Sequence, residues 1–264
     1  MLLSTTLSTP FLSRNGDMLT FATKLHPTVA NMETAWDAGY RAAEVSLNAA
    51  ALRDWNASVD AVKRFPMRYT LHFPNKGPIA TRKIKKIIKL YRSLQCSVMI
   101  IHPGMLQKYH AELDKKKKPL CLAVENGKVR YEAFYRWAET HNHLTLDVEH
   151  LWKYSLEDCP FPELRHEMKV FLWKYGSKVR HVHLPGYIPG QEEHQLTNKN
   201  PKLARMVLNL LELDGIPRTI VSEARTSLRT PENLAADSRF FENWSRFRAP
   251  QRFLTKHLAP RKTG

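Results

Sequence analysis

The chain has 264 residues with 10% aromatic content, enough for one packed core and close to what a single α/β barrel uses. Its 41 Lys and Arg against 25 Asp and Glu leave a formal charge of +16, which points to anionic partners, and three widely spaced cysteines, Cys96, Cys121 and Cys159, argue against a disulfide framework or a cysteine-based zinc site. No run of eighteen apolar residues occurs and the opening MLLSTTLSTPFLSRNG has neither a basic start nor a continuous apolar stretch, so the expectation is a soluble, cytoplasmic protein with no membrane contact.

Along the chain, Met1–Gly16 is rich in Ser and Thr and reads as a flexible lead-in. Residues 17–247 then alternate between short apolar runs and stretches of helical periodicity. Met18–Thr23 precedes a helix over Val29–Gly39, Ala42–Ser46 precedes Asn48–Phe65, Met67–Phe73 precedes Ile79–Leu94, and Ser97–His102 precedes Met105–Lys116. The second half continues with Pro119–Glu125 before Val129–Asn142, His143–Asp147 before Pro162–Tyr175, Lys178–Leu184 before Lys199–Leu213, and Arg218–Glu223 before Thr230–Phe247. Residues 248–264, with Arg252, Lys256, Arg261 and Lys262 between and after two prolines, read as a basic tail. Eight alternations with near-continuous apolar strands call for a parallel sheet covered on both faces. The fold class is therefore α/β, and a single (β/α)8 TIM barrel accounts for residues 17–247 better than an open sheet, because the chemically competent residues are spread over six strand ends.

The densest basic runs fall away from the mouth of such a barrel. Arg82–Arg92 keeps Ile84, Ile87, Ile88 and Tyr91 on one helical face with cations on the other, and Lys115–Lys118 sits in a loop on the opposite end, so both read as solvated exterior. Nearer the mouth stand Lys24, Lys76, Lys128, Arg130, Lys153, Lys199, Arg225 and Arg229, suited to a phosphate-bearing substrate.

From the third strand to the eighth, each ends in, or just before, a histidine or carboxylate: His72, His102, Glu125, Asp147 with His150, His183, and Glu223. Singly, each has an ordinary use. His72 can be a core histidine, His102 can mark a tight turn, Glu125 with Asn126 or Asp147 alone can cap a helix, and Glu223 can pair with Arg225. Together they are better explained by a shared cation, since an unpaired buried carboxylate is costly and strand carboxyl ends converge on one open face. His181 shares a strand face with His183 but lies one layer deeper, where it orients a ligand or packs. The Gly/Pro-rich loop that follows brings Glu192, Glu193 and His194, of which Glu192 and His194 offer an oxygen and a nitrogen to one ion. Imidazole mixed with carboxylate suits zinc, manganese or iron.

The motifs WDAGYRAAEVSL, HPG, LAVEN, LTLDVEH, HVHLPG with the later EEH, and IVSEA, in this order from Met18 to Trp244, resemble the xylose-isomerase-like barrel superfamily, which holds sugar and sugar-phosphate isomerases and epimerases together with the abasic-site nuclease endonuclease IV. The resemblance to the isomerase branch implies one ion on Glu125, Asp147, His183 and Glu223. The resemblance to the nuclease branch implies up to three: His72 and His102 on one, Glu125 bridging to a second on Asp147, His183 and Glu223, and His150, Glu192 and His194 on the third. This sequence departs from the nuclease pattern in HVHLPG, in having Glu192 where aspartate is usual, and in FATKLHP at the first strand.

Two chemistries follow. The expected partner is a phosphate-bearing substrate, damaged DNA or a sugar phosphate; as a hydrolase, the chain would cleave a phosphodiester, with Glu125 bridging the ions or positioning water and with Lys76 and Arg225 binding substrate. As an isomerase or epimerase, it would use one ion with Glu125 and Glu223 as proton donor and acceptor. A barrel that binds partners without catalysis is the third reading. The ligand count ranks hydrolysis first.

Overall fold

The structure is a computed structural model that describes residues 19–114 and 119–258, with side chains through residue 247. Met1–Gly16, Lys115–Lys118 and the end of the basic tail lie outside the described residues. Eight parallel strands close into a barrel in chain order: β1 (Leu19–Leu25), β2 (Ala42–Ser46), β3 (Arg68–His72), β4 (Met99–Ile101), β5 (Leu122–Glu125), β6 (Leu144–Asp147), β7 (Val179–His183) and β8 (Arg218–Ser222). The outer ring is made by α1 (Val29–Asp37), α2 (Ala49–Arg53), α3 (Trp55–Lys63), α4 (Thr81–Ser93), α5 (Pro103–Asp114), α6 (Tyr131–Thr140), the single turn α7 (Val148–His150), α8 (Phe161–Tyr175), α9 (Pro201–Asp214) and α10 (Pro231–Leu258). The single TIM barrel expected from the alternation is the fold observed.

Two boundaries differ from expectation. The helix expected over Asn48–Phe65 is broken at Asp54, whose backbone is non-helical, into α2 and α3, a break the apolar periodicity does not register. The last helix runs on to Leu258, past the expected start of the basic tail at residue 248. Elsewhere the capping chemistry is local and ordinary. Thr28 accepts from the Asn31 amide to start α1, Asn200 does the same with Leu203 for α9, and Gly215, at φ +73°, ends α9 in the left-handed region. Helix α4 buries Ile84, Ile87, Ile88 and Tyr91, as its spacing requires.

The strands divide their side chains between two environments. Val45, Leu71, Met99, Val124, Leu146, Val182 and Ile220 face outward into one continuous core shared with the helices. Small inward residues make separate clusters, Ala22 with Ala42 and Val221, and Val98 with Ile100 and Ala123. Because residues two apart on a strand share a face, the next inward positions are fixed: Lys24, Glu44, His72, His102, Glu125, Asp147, His183 and Glu223. Every strand thus contributes an ionisable side chain to this layer, from inside the strand at Lys24 and Glu44 and at or just past the carboxyl end on β3 to β8. The register supports this, with Lys24 opposite Glu44 and Asp147 opposite His183.

Candidate metal centre

Within this layer His72, His102 and Glu125 form one group of potential ligands, and Glu125, Asp147 and His183 a second. Glu125 Oε2 lies 3.1 Å from His72 Nε2, 3.5 Å from His102 Nε2 and 3.8 Å from His183 Nδ1. His183 Nδ1 is also 3.9 Å from Asp147 Oδ2 and 2.7 Å from Glu223 Oε2. Ligand bonds of about 2.0–2.3 Å place neighbouring donor atoms roughly 3–4 Å apart, so both groups are of a size to close on an ion.

Hydrogen bonding fixes which atoms face the pocket. His72 Nδ1 lies 2.9 Å from the Phe73 carbonyl, which can only accept, so this nitrogen carries a proton and Nε2 is left facing Glu125. His183 Nε2 lies 2.9 Å from Glu44 Oε2, which directs Nδ1 inward. This is the carboxylate–histidine support that metal-binding imidazoles use. Asp147 divides its two oxygens: Oδ1 accepts from the His150 amide and caps α7, whereas Oδ2 is buried with no hydrogen bond. His183 Nδ1 and Glu223 Oε2 are likewise buried without a hydrogen-bond partner, despite their 2.7 Å approach. Glu223 reaches His183 but falls outside both groups of potential ligands; Asp147 Oδ2 and, when the imidazole is neutral, His183 Nδ1 are buried atoms that a cation would satisfy, and the group of Glu125, Asp147 and His183 fits a divalent metal.

Protonation reflects the same crowding. Burial pushes the Glu125 carboxyl up, but His183, His72 and His102 override it and hold it well below its ordinary value. Burial pushes His183 down, but Glu223, Glu44 and Glu125 raise its imidazole well above 6.5, so a proton balances the carboxylates when no metal does. His102, at the mouth, is lowered by burial above all, which favours the neutral imidazole.

Two residues of this layer are not among the sequence candidates for the centre. Glu44, fully buried on β2, accepts from His181 Nε2 at 2.6 Å as well as from His183. Lys24, expected as a cation near the mouth, is instead buried, donating to Glu223 Oε1 at 2.6 Å and lying 3.2 Å from Glu44 Oε1. The available signal was periodicity: Glu44 and Lys24 are charged residues at inward positions of apolar strands. Asn126 is a third supporting residue, donating to the Asp147 carbonyl and accepting from the Asp147 amide, which locks the ends of β5 and β6 together.

The third expected trio does not assemble as drawn. His150 directs Nδ1 to the Asn126 carbonyl and lies 3.5 Å from Asp147 Oδ2, and its ring is 6.4 Å from that of His194. Glu192 turns to solvent, three-quarters exposed, and pairs with Arg225. The adjacent glutamate is the one that turns inward: Glu193 groups with Glu149 and His194. Lys153 and Lys128, at 2.8 and 3.0 Å, together with the Tyr154 hydroxyl, hold Glu193 there and bring its carboxyl down to about 2 against the effect of burial. Lys153 and Tyr154 lie in a wide π-type turn, Leu151–Ser155, following α7. The loop carrying these residues is pinned at its base, where Gly186 donates to the Gln195 carbonyl; a Cβ on Gly186 would fall 1.8 Å from the Leu196 carbonyl oxygen. Lys76 is exposed on the segment after β3.

Solved structures of other proteins share this fold. The chain superposes on a D-tagatose 3-epimerase-like protein at 15% identity with a TM-score of 0.59, covering 86% of this chain and 97% of that one. It superposes on endonuclease IV from Thermus thermophilus at 18% identity and 0.61, covering 86% and 99%. The chain shares the fold of these two proteins. A third such barrel, D-allulose 3-epimerase from Methylomonas sp., matches at 13% identity and 0.51, covering 86% and 96%. No protein-family model and no curated protein matches the sequence.

Proposed function

We propose that this protein is a divalent-metal-dependent enzyme that hydrolyses phosphoesters, with His72, His102 and Glu125 the residues that would hold one ion and Glu125, Asp147 and His183 those that would hold a second. The observation that carries the reading is the position of Glu125 Oε2, which faces His72 and His102 on one side and His183 on the other. Divalent ions bound there supply a nucleophile from water at neutral pH and offset charge on the phosphoryl oxygens. The chain's own residues do the rest. His72, held by the Phe73 carbonyl, and His183, held by Glu44, keep their remaining nitrogens aimed into the pocket. His102, at the mouth with 29% of its side chain exposed, borders the space a substrate enters. Lys76, and Arg225 once it exchanges Glu192 for a substrate anion, bind the phosphate. The proposed count is two ions, because Glu192 stands away from the pocket and Glu193 is already neutralised by two lysines. Endonuclease IV shares the fold, as do the two epimerase-type proteins, so the comparisons are compatible with either class of reaction.

Isomerase or epimerase chemistry is the second reading. It is favoured by one observation, the convergence of Glu125 and Glu223 on His183 Nδ1, which is what a one-ion site flanked by two carboxylates requires. The test is to load the protein with Mn2+ or Zn2+ and assay a phosphodiester such as bis(p-nitrophenyl) phosphate, an abasic-site duplex and a panel of sugar phosphates, alongside ketoses in deuterium oxide. Phosphoester cleavage that is lost in Glu125→Gln and His102→Ala is expected. Deuterium entering a ketose with no phosphoester cleaved would replace the first reading by the second.

A further inference from the structure

Four carboxylates, Glu44, Glu125, Asp147 and Glu223, face the centre, and among the described residues Lys24 is the one ammonium set between them. With neutral histidines this layer carries three negative charges instead of four. The geometry of the ammonium is specific. It lies 2.6 Å from Glu223 Oε1 and 3.2 Å from Glu44 Oε1, whereas Glu223 Oε2, the oxygen without a hydrogen bond, faces His183. Glu223 is thereby divided between a fixed cation on one oxygen and the orphaned cluster on the other. Glu44, whose second oxygen supports His183, is held by the same ammonium.

We infer that Lys24 is a positioning residue that acts as a permanent internal cation: it confines metal to the Oε2 side of Glu223 and weakens metal binding there. Resting on the metal-centre reading above, this extends it to a residue on a strand that supplies no ligand. The physical basis is twofold. An ammonium sharing a carboxylate with a doubly charged ion repels that ion in a pocket where water screens little. The same ammonium keeps Glu44 and Glu223 ionised and oriented before any metal arrives, so that the metal-free barrel tolerates its buried carboxylates.

The test is Mn2+ titration by calorimetry on chelator-stripped full-length wild type, Lys24→Met and Lys24→Arg at one pH and ionic strength. Lys24→Met is expected to bind Mn2+ at least ~10-fold more tightly than wild type, while Lys24→Arg, which keeps the charge, stays within about threefold of wild type. A purely structural lysine would lower the melting temperature of Lys24→Met without tightening metal binding. Folded Lys24→Met with unchanged or weaker affinity, or Lys24→Arg behaving as Lys24→Met does, overturns the inference. Should Lys24→Met not fold, a crystal structure of wild type soaked in Mn2+ decides: an ion on Oε2 with Nζ still on Oε1 upholds it, and an ion that displaces Nζ from Glu223 overturns it. Wild type that takes up no Mn2+ in either measurement overturns the metal-centre reading itself, which distinguishes that failure from a failure of the role given to Lys24.

Discussion

Changing Asp147 to asparagine separates metal binding from folding. Asp147 is fully buried, its Oδ1 caps α7 through the His150 amide, and its Oδ2 has no hydrogen bond. Asparagine keeps the shape and the capping oxygen but replaces the orphaned, charged atom with a neutral donor that faces His183 Nδ1 at 3.9 Å. An unsatisfied buried polar group costs about 1–3 kcal/mol and more when charged, so at a pH high enough to leave the His183 imidazole neutral, with Nδ1 an acceptor, metal-free Asp147→Asn is expected to be more stable than metal-free wild type by about that amount. At roughly 2–4 °C per kcal/mol for a chain of this size, the melting temperature rises by several degrees. The metal response reverses the order. Wild type in Mn2+ at about 100 times its dissociation constant gains about 2.7 kcal/mol, whereas Asp147→Asn, having lost a charged ligand, gains less than about 1 kcal/mol. Urea denaturation with and without chelator measures all four values. Metal-free Asp147→Asn less stable than wild type, or an undiminished metal response, would refute the claim that Oδ2 is an empty ligand position.

Other consequences follow from the residues around the centre. Asn126→Ala removes both hydrogen bonds to the Asp147 backbone without touching a ligand, and should cost about 1–3 kcal/mol in denaturation and weaken Mn2+ binding roughly 10- to 100-fold in a titration. Gly186→Ala must displace the Leu196 carbonyl, so hydrogen exchange should show the His194 amide, which now donates to Glu149, losing protection while the barrel strands keep theirs. The folded His183 imidazole titrates well above 6.5, so its contribution to metal-free stability is fully present below 6.5 and is lost as pH rises through the folded value. Metal affinity runs the opposite way, rising with pH as that proton ceases to compete; calorimetry in buffers of different ionisation enthalpy should register proton release on Mn2+ binding that decreases as pH rises.

The barrel was legible because its apolar runs and helical stripes carry two different periods, and their eightfold alternation leaves few topologies. The six strand ends that carry candidate ligands stood out for a related reason, that an ionisable residue closing an apolar run at a strand's carboxyl end has few structural uses. Glu44 escaped because it sits inside the second run, where a single charge does not stand out until the barrel shows that it faces inward, and Lys24, one residue past the first expected run, read as a cation at the mouth because an ammonium is no metal ligand. The choice between Glu192 and Glu193 was beyond the sequence, since a loop that reverses through Gly190 and His194, both at positive φ, has no fixed alternation of faces. Lys128, Lys153 and Tyr154, drawn from two other loops, decide which glutamate is held.

The central claim is that Glu125 joins two metal positions. Its most direct test is a crystal structure of the wild-type protein grown with excess Mn2+ and recorded at the manganese absorption edge. The account predicts two anomalous peaks, one against His72 and His102 and one against Asp147, His183 and Glu223, with Glu125 contacting both. A single peak that leaves His72 and His102 without a metal contact, or none in the barrel mouth, would contradict it.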